Sequence, residues 1–279
     1  MLDVLSKAKN AIEAYNTQLR INSSNIANMS VPGYKTAKIS FQTIFEQVLK
    51  GGTAAESEIG GTNPLQLGSS VGIGNTYLDF SQGAITEGLP LDLAVNGSGL
   101  FVVSPDGGNT MQYTRAGKFQ IDSGGNLVTD NGMQVYGLSG DVLVPITGLT
   151  AYNTSRLSWT ENGDLAEFNL NPDGTTVNYS SVNVYTGYKI ALTTFTNLSG
   201  LAQSSGNTFT QTAASGSPLS YKTSRDTYGD AIPRNYEQSN VFYTGEVIDS
   251  MEAQRAMSGN LTILRMISDE ITNFINRIS

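Results

Sequence analysis

The chain has 279 residues, a formal net charge of −8, 30 glycines, 14% charged residues, and neither cysteine nor histidine. Without cysteine there are no disulfides and no thiolate chemistry; without histidine the commonest general base and neutral metal ligand are gone, so an enzyme here would depend on carboxylates, Lys or Tyr. The acidic balance without a basic cluster argues against nucleic acid, no cofactor is implied, and no run of about 18 apolar residues offers a membrane span.

The N-terminal stretch predicts a helix from about Leu2 to Asn28, stopped at Val31-Pro32-Gly33, where proline removes a donor and glycine permits a reversal. Leu5, Ile12, Leu19 and Ile26 repeat at heptad spacing, with Ala8, Tyr15 and Asn22 in a complementary register. Ile39, Phe41, Ile44, Phe45, Val48 and Leu49 then suggest a short apolar-faced segment open to a helical reading, ending at Gly51-Gly52. Residues 51–75 are small, polar and glycine-rich, the composition of a linker or an extended arm.

From Thr76 the apolar period becomes two. Strands are predicted around Tyr77–Phe80, Leu91–Val95, Leu100–Val103, Met111–Tyr113, Lys118–Ile121, Gln134–Tyr136, Leu157–Trp159, Ala166–Phe168, Val182–Tyr185 and Ile190–Phe195. Glycine, asparagine and aspartate mark the turns between them, and the region from Gly200 to Asn235 is polar enough to read as an extended return.

The C-terminal stretch predicts a second helix, which from Val241 to Ile278 would rise about 57 Å at ~1.5 Å per residue. Met257, Leu264, Ile271 and Ile278 keep the heptad spacing, and Val247, Leu261 and Ile275 lie in a second register. Charge favours pairing of the ends: residues 1–50 carry net +3 and residues 236–279 net −3. The plainer alternative is two amphipathic helices covering one globular core. The fold class expected is α+β, with residues 1–50 and 236–279 forming a coiled-coil-like terminal module, 51–75 an arm and 76–235 a β-rich outer domain.

Catalytic signals are weak. Gly97-Ser98-Gly99 lacks the spacing of a dinucleotide loop and reads as a hairpin turn, and no phosphate-binding GxxxxGK[ST] string occurs. Of Asp92, Asp106, Asp122 and Asp130, three lie in turn sequences where aspartate is favoured for local hydrogen bonding. No catalytic, cofactor-binding or metal-ligating residue is therefore assigned. Asn22, polar on an otherwise apolar stripe, is placed to fix helix register.

Four strings fall in a recognisable order. Asn25-Ile26-Ala27-Asn28 with Pro32-Gly33-Tyr34-Lys35 resembles the N-terminal signature of bacterial flagellar rod and hook proteins. Leu91-Asp92-Leu93-Ala94-Val95-Asn96-Gly97-Ser98-Gly99-Leu100-Phe101 is similar to the family's LDxAIxGxGFF core, and Tyr113-Thr114-Arg115-Ala116-Gly117-Lys118-Phe119 to its YTRxGxF. Glu237-Gln238-Ser239-Asn240-Val241 and Ala253-Gln254-Arg255-Ala256 resemble its ExSNV and AQRA strings. The match spans nearly the whole chain and is most like the distal-rod branch; the family's TGNP-like string is replaced by Glu87-Gly88-Leu89-Pro90.

The resemblance implies a structural subunit of the flagellar rod, self-assembling into a helical tube that transmits torque across the periplasm. It implies export through the flagellar type III apparatus without a cleaved signal peptide, with further copies of itself and neighbouring rod and hook proteins as partners, and without membrane insertion. Subunit packing is then expected on Leu5, Ile12, Leu19 and Ile26 against Met257, Leu261, Leu264, Ile271, Ile275 and Ile278. A hook or proximal-rod subunit is the alternative within the family. A β-rich surface- or carbohydrate-binding module is the alternative of another class, and would show saturable ligand binding.

Overall fold

The computed structural model describes residues 2–43, 46–50, 65–68, 71–204 and 207–278. The chain divides into two compact units, one made of Met1–Ala27, Ala37–Tyr77 and Phe242–Ser279, the other of Asn28–Thr36 and Leu78–Val241. The sequence expectation grouped 28–36 with the helices, whereas its contacts place it in the β-rich unit.

In the first unit, helix α1 (Leu2–Ala27) packs on helix α2 (Tyr243–Ile278). Both follow from sequence: α1 contains neither Gly nor Pro, and α2 carries Glu246 in its first turn and Arg277 in its last, each of the sign the helix dipole favours. The segment open to a helical reading between 39 and 49 is instead β where it is described, with Ile44 and Phe45 outside the described residues. Strand Ala37–Thr43 pairs with Val71–Leu78, and Glu46–Lys50 pairs antiparallel with Leu65–Gly68. Ile39 and Phe41 alternate with polar residues, and β-branched and aromatic side chains suit a pleated surface, so pairing with partner strands decides between two locally open readings. Of the expected arm, residues 51–64 and 69–70 lie outside the described residues.

The second unit is built on an antiparallel sheet whose main path runs Leu157–Trp159, Asp164–Leu170, Val177–Ile190, Gln134–Ser139, Leu100–Ser104, Gln112–Thr114, Thr208–Thr210 and Ala202–Gln203. The core gathers Leu93, Phe101, Val103, Phe119, Leu127, Val135, Ile146, Leu157, Trp159, Leu165 and Ile190. Trp159 is buried as expected for a strand residue, and its indole Nε1 donates to the Leu91 carbonyl at 2.8 Å. The expected extended return does not hold as written. Thr208–Thr210 joins the main sheet, Asp230–Pro233 pairs with Leu93–Asn96, and Asn235–Glu237 pairs with Ile85–Glu87. These strands are short, each burying only one or two side chains such as Phe209 and Ala231 between polar neighbours, which is too few for a period to show in the sequence.

Candidate functional site

Two arrangements have the makings of a site: the paired helices of the first unit, and a buried ionic cluster in the second on which the motif strings converge.

α1 and α2 run antiparallel. The Asn25 Nδ2 donates to Glu246 Oε2 at 3.1 Å and the Asn22 carboxamide lies 3.3 Å from the Ser250 hydroxyl, so the end of α1 meets the start of α2. The fully buried positions are small or polar: Ala8, Ala11, Ala14, Asn22 and Asn25 on α1, with Ala253 and Ile267 on α2. Small side chains let helix axes approach, which moves bulkier neighbours to the flanks. Accordingly Leu5, Ile12, Leu19 and Ile26 are half-buried, as are Met257, Leu264 and Ile271. Leu261 and Ile275 are not buried against α1: they stand 39% and 58% exposed. Ile278 ends α2 with its side chain outside the described residues.

Asn25 also joins α1 to the strand that follows, donating to the Ala37 carbonyl at 2.9 Å and accepting from the Ala37 N–H at 3.1 Å. Burial raises the Glu246 carboxyl above the usual range, an effect that the bond from Asn25 partly opposes. α2 is 36 residues against 26 for α1, and its surface leaves Ile248, Met251, Ile263, Met266 and Phe274 exposed. Gln254 and Arg255 of the AQRA string are exposed as well.

In the β unit the centre is Glu237. Its Oε1 accepts from Lys35 Nζ at 2.7 Å and from the Gly83 N–H at 2.8 Å, while Oε2 lies 3.0 Å from Arg115 Nε. The side chains of Lys35, Glu237 and Arg115 are 0%, 1% and 3% exposed. Arg115 reaches on to the carbonyls of Gly97 and Gly99, and Lys35 Nζ donates to the Ser81 carbonyl at 2.7 Å. Burial lowers both cations from their ordinary pKa values, and the Glu237 charge works against that shift.

Other motif residues tie the β unit together. Gly33, at φ +67°, donates its N–H to the Glu237 carbonyl at 2.8 Å, and a Cβ there would lie 2.3 Å from the Ala116 nitrogen. Asn240 Oδ1 accepts from both Thr36 N and Thr36 Oγ1 at 2.8 Å, and its Nδ2 donates to the Asp79 carbonyl at 2.8 Å. Asn207 Nδ2 donates to the Pro32 carbonyl at 2.8 Å, beside Asn28 in the wall of the same hollow. Tyr34 is buried, and its carbonyl accepts from Asn240 N at 3.4 Å. Tyr113 packs edge-on against Phe195 at 4.8 Å, and Phe119 packs against Phe101 at 5.2 Å. Gly117 passes so close to Leu93 that a Cβ would lie 1.6 Å from its carbonyl oxygen. Ser239 Oγ accepts from the Val241 N–H at 3.3 Å.

Three of the four aspartates weighed as a carboxylate pair serve structure. Asp92 Oδ2 accepts from the Leu89 N–H, Asp106 Oδ1 from Thr110 N and Asp122 Oδ1 from Asn126 N, each at 2.8 Å. Among the described residues no group of acidic side chains is arranged to hold a metal ion, and no helix is long and apolar enough to cross a membrane. The Lys35–Glu237 pair was the feature that sequence reading missed, although both residues lie in recognised strings.

Residues 94–177 match the family model described as the flagellar hook protein FlgE/F/G D1 domain, and residues 6–35 match the one described as the flagella basal body rod protein. Over 275 residues, 97% of each chain, the protein is 32% identical to the flagellar basal-body rod protein FlgG of Bacillus subtilis (strain 168). It is 29% identical over 266 residues, 95% of each chain, to FlgG of Buchnera aphidicola subsp. Baizongia pistaciae. The flagellar hook protein FlgE of Helicobacter pylori (strain ATCC 700392 / 26695) is 36% identical over 174 residues, which cover 62% of this chain and 24% of that one.

Proposed function

The chain belongs to the flagellar basal-body rod and hook protein family, and on that premise we propose that it is a distal-rod subunit whose copies polymerise into a helical tube transmitting torque across the periplasm. It is a structural subunit of the basal body and not an enzyme. The observation that carries the assembly reading is the uncovered apolar surface of α2: Ile248, Met251, Ile263, Met266, Phe274 and Ile275 are exposed on a helix that α1 pairs with but does not cover. A helix with apolar residues around much of its circumference is completed by burial against further helices. In this reading the terminal helices α1 and α2 pack in a coiled-coil-like manner and carry the contacts between subunits. Near full-length similarity to FlgG proteins supports rod over hook; the hook similarity at 36% identity keeps the hook subunit as the second reading. Export through the flagellar type III apparatus and contact with neighbouring rod and hook proteins belong to the same proposal.

Electron microscopy of the concentrated full-length protein beside Phe274→Asp/Ile275→Asp tests it. Straight hollow filaments from the wild type alone support a rod subunit. Curved filaments favour hook, and filaments from both proteins would sink the role given to the α2 surface.

A further inference from the structure

The α1–α2 seam does not choose its own alignment by shape. Apart from Ile267, its most buried apolar residues, Ala8, Ala11, Ala14 and Ala253, are small and alike, so along most of the seam sliding one helix by a heptad replaces one shallow contact by another of similar size. The polar residues at one end break that degeneracy. Asn22 is 5% exposed and Asn25 1%, and they face Ser250 and Glu246. Ser250 Oγ is in turn held by the Glu246 carbonyl at 2.7 Å, and Asn25 is tied to both polar groups of the Ala37 backbone. A heptad slip one way would bring Asn25 opposite Ala253 and Asn22 opposite Met257, leaving buried carboxamides without partners; a slip the other way would set Asn25 opposite Ser239, before α2, and Asn22 opposite Tyr243 at its first residue, losing the bonds to Glu246 and Ser250.

We propose that Asn22 and Asn25, with Ser250 and Glu246, are the register-setting residues of the terminal helix pair, fixing which part of α2 stays uncovered by α1. They are positioning residues: the uncovered surface does the assembling, and they decide where it lies. That last step rests on the assembly reading above; the register assignment does not.

The absence of native cysteine makes the register directly measurable by disulfide trapping. Continuing the alignment of Asn25 with Glu246 by heptad steps sets Gln18 opposite Ala253 and Ala11 opposite Asn260. Cysteine pairs at Gln18/Ala253 and Ala11/Asn260 therefore report the native register, and pairs at Gln18/Asn260 and Ala11/Ala253 report a slip of one heptad in either direction. In the otherwise wild-type full chain the native pairs should cross-link about tenfold more than the slipped pairs, the discrimination expected from two net hydrogen bonds. Adding Asn22→Ala/Asn25→Ala should bring the two classes within about threefold of each other. Because the double substitution also removes packing, Asn22→Leu is the second variant: it should retain or raise helix stability while still raising the slipped fraction. Unchanged native-register trapping in both variants overturns the proposal. So does loss of all cross-linking in both, which would make the asparagines ordinary contributors to stability, or slipped cross-links equal to native ones in the wild type. Sedimentation of the same proteins addresses assembly separately, since trapping reads register whether or not filaments form.

Discussion

Glu237 is one carboxylate shared by two buried cations, so the three members of the cluster are not equivalent. Removing Glu237 leaves Lys35 and Arg115 facing each other out of reach of water, whereas removing Lys35 leaves Arg115 paired. Glu237→Ala should cost about 3–5 kcal/mol, the range for breaking a buried ion pair, and Lys35→Met distinctly less. Urea unfolding followed by the fluorescence of Trp159, the single tryptophan and a core residue of this unit, measures both. Equal losses for the two variants would mean that Glu237 does not hold both cations. Gly117→Ala acts through a different cause: its Cβ would overlap the Leu93 carbonyl, so the backbone must move and the loss should be at least as large. The need for glycine at 33 and 117 was readable from the motif strings. The pairing of Lys35 with Glu237 was not, because 202 residues separate them and nothing local to either tells which charge it meets.

At the scale of elements, the turn aspartates of the β unit and Glu246 of the helix pair should answer acid in opposite senses. The turn aspartates Asp106, Asp122, Asp173 and Asp226 have carboxyls held below their usual values by backbone N–H donors, Asp173 at about 2. A folded pKa below the unfolded one gives stability that is present above the unfolded value, near 3.8, and is lost as pH falls toward 2. Glu246 is shifted upward by burial, so folded α1–α2 binds its proton more readily than the unfolded chain. Its contribution therefore increases as pH falls through the window between that raised value and 4.5. Helix ellipticity in urea should show the Glu246 effect and Trp159 fluorescence the aspartate effect. Glu246→Gln should abolish the first without touching the second, and a helix transition that keeps its acid slope in this variant would refute the assignment. Assembly is tested on the same element by Leu264→Asp, which places a charge at a half-buried position and should stop polymerisation while Trp159 fluorescence stays native. Both helices were legible because a long heptad pattern has few other readings. The strand at Ala37–Thr43 was not, since clustered apolar residues over so short a span fit either period until partner strands are known.

For the whole molecule, the decisive feature is that the β unit is discontinuous in sequence. It takes Asn28–Thr36 from one side of a long insertion and closes with 78–241 from the other. Composition cannot reveal this, because 28–36 looks like the end of a helix followed by a turn, and it is long-range bonds, among them those of Gly33, Lys35 and Thr36 to Glu237 and Asn240, that give it a home. A boundary drawn by composition at 76–235 discards Lys35, Glu237, Asn240 and the strand Asn235–Glu237 that pairs with Ile85–Glu87. A shortened chain of residues 28–241 should unfold cooperatively with Trp159 buried at the start. One of residues 76–235 keeps Arg115 in the interior without its carboxylate and should melt at much lower temperature or remain open to protease. Equal melting of the two would show that the strap at 28–36 only decorates a self-sufficient sheet. A large difference would mean that the β unit can be completed only after both ends of its sequence are present, which ties its folding to a chain synthesised almost to the start of α2.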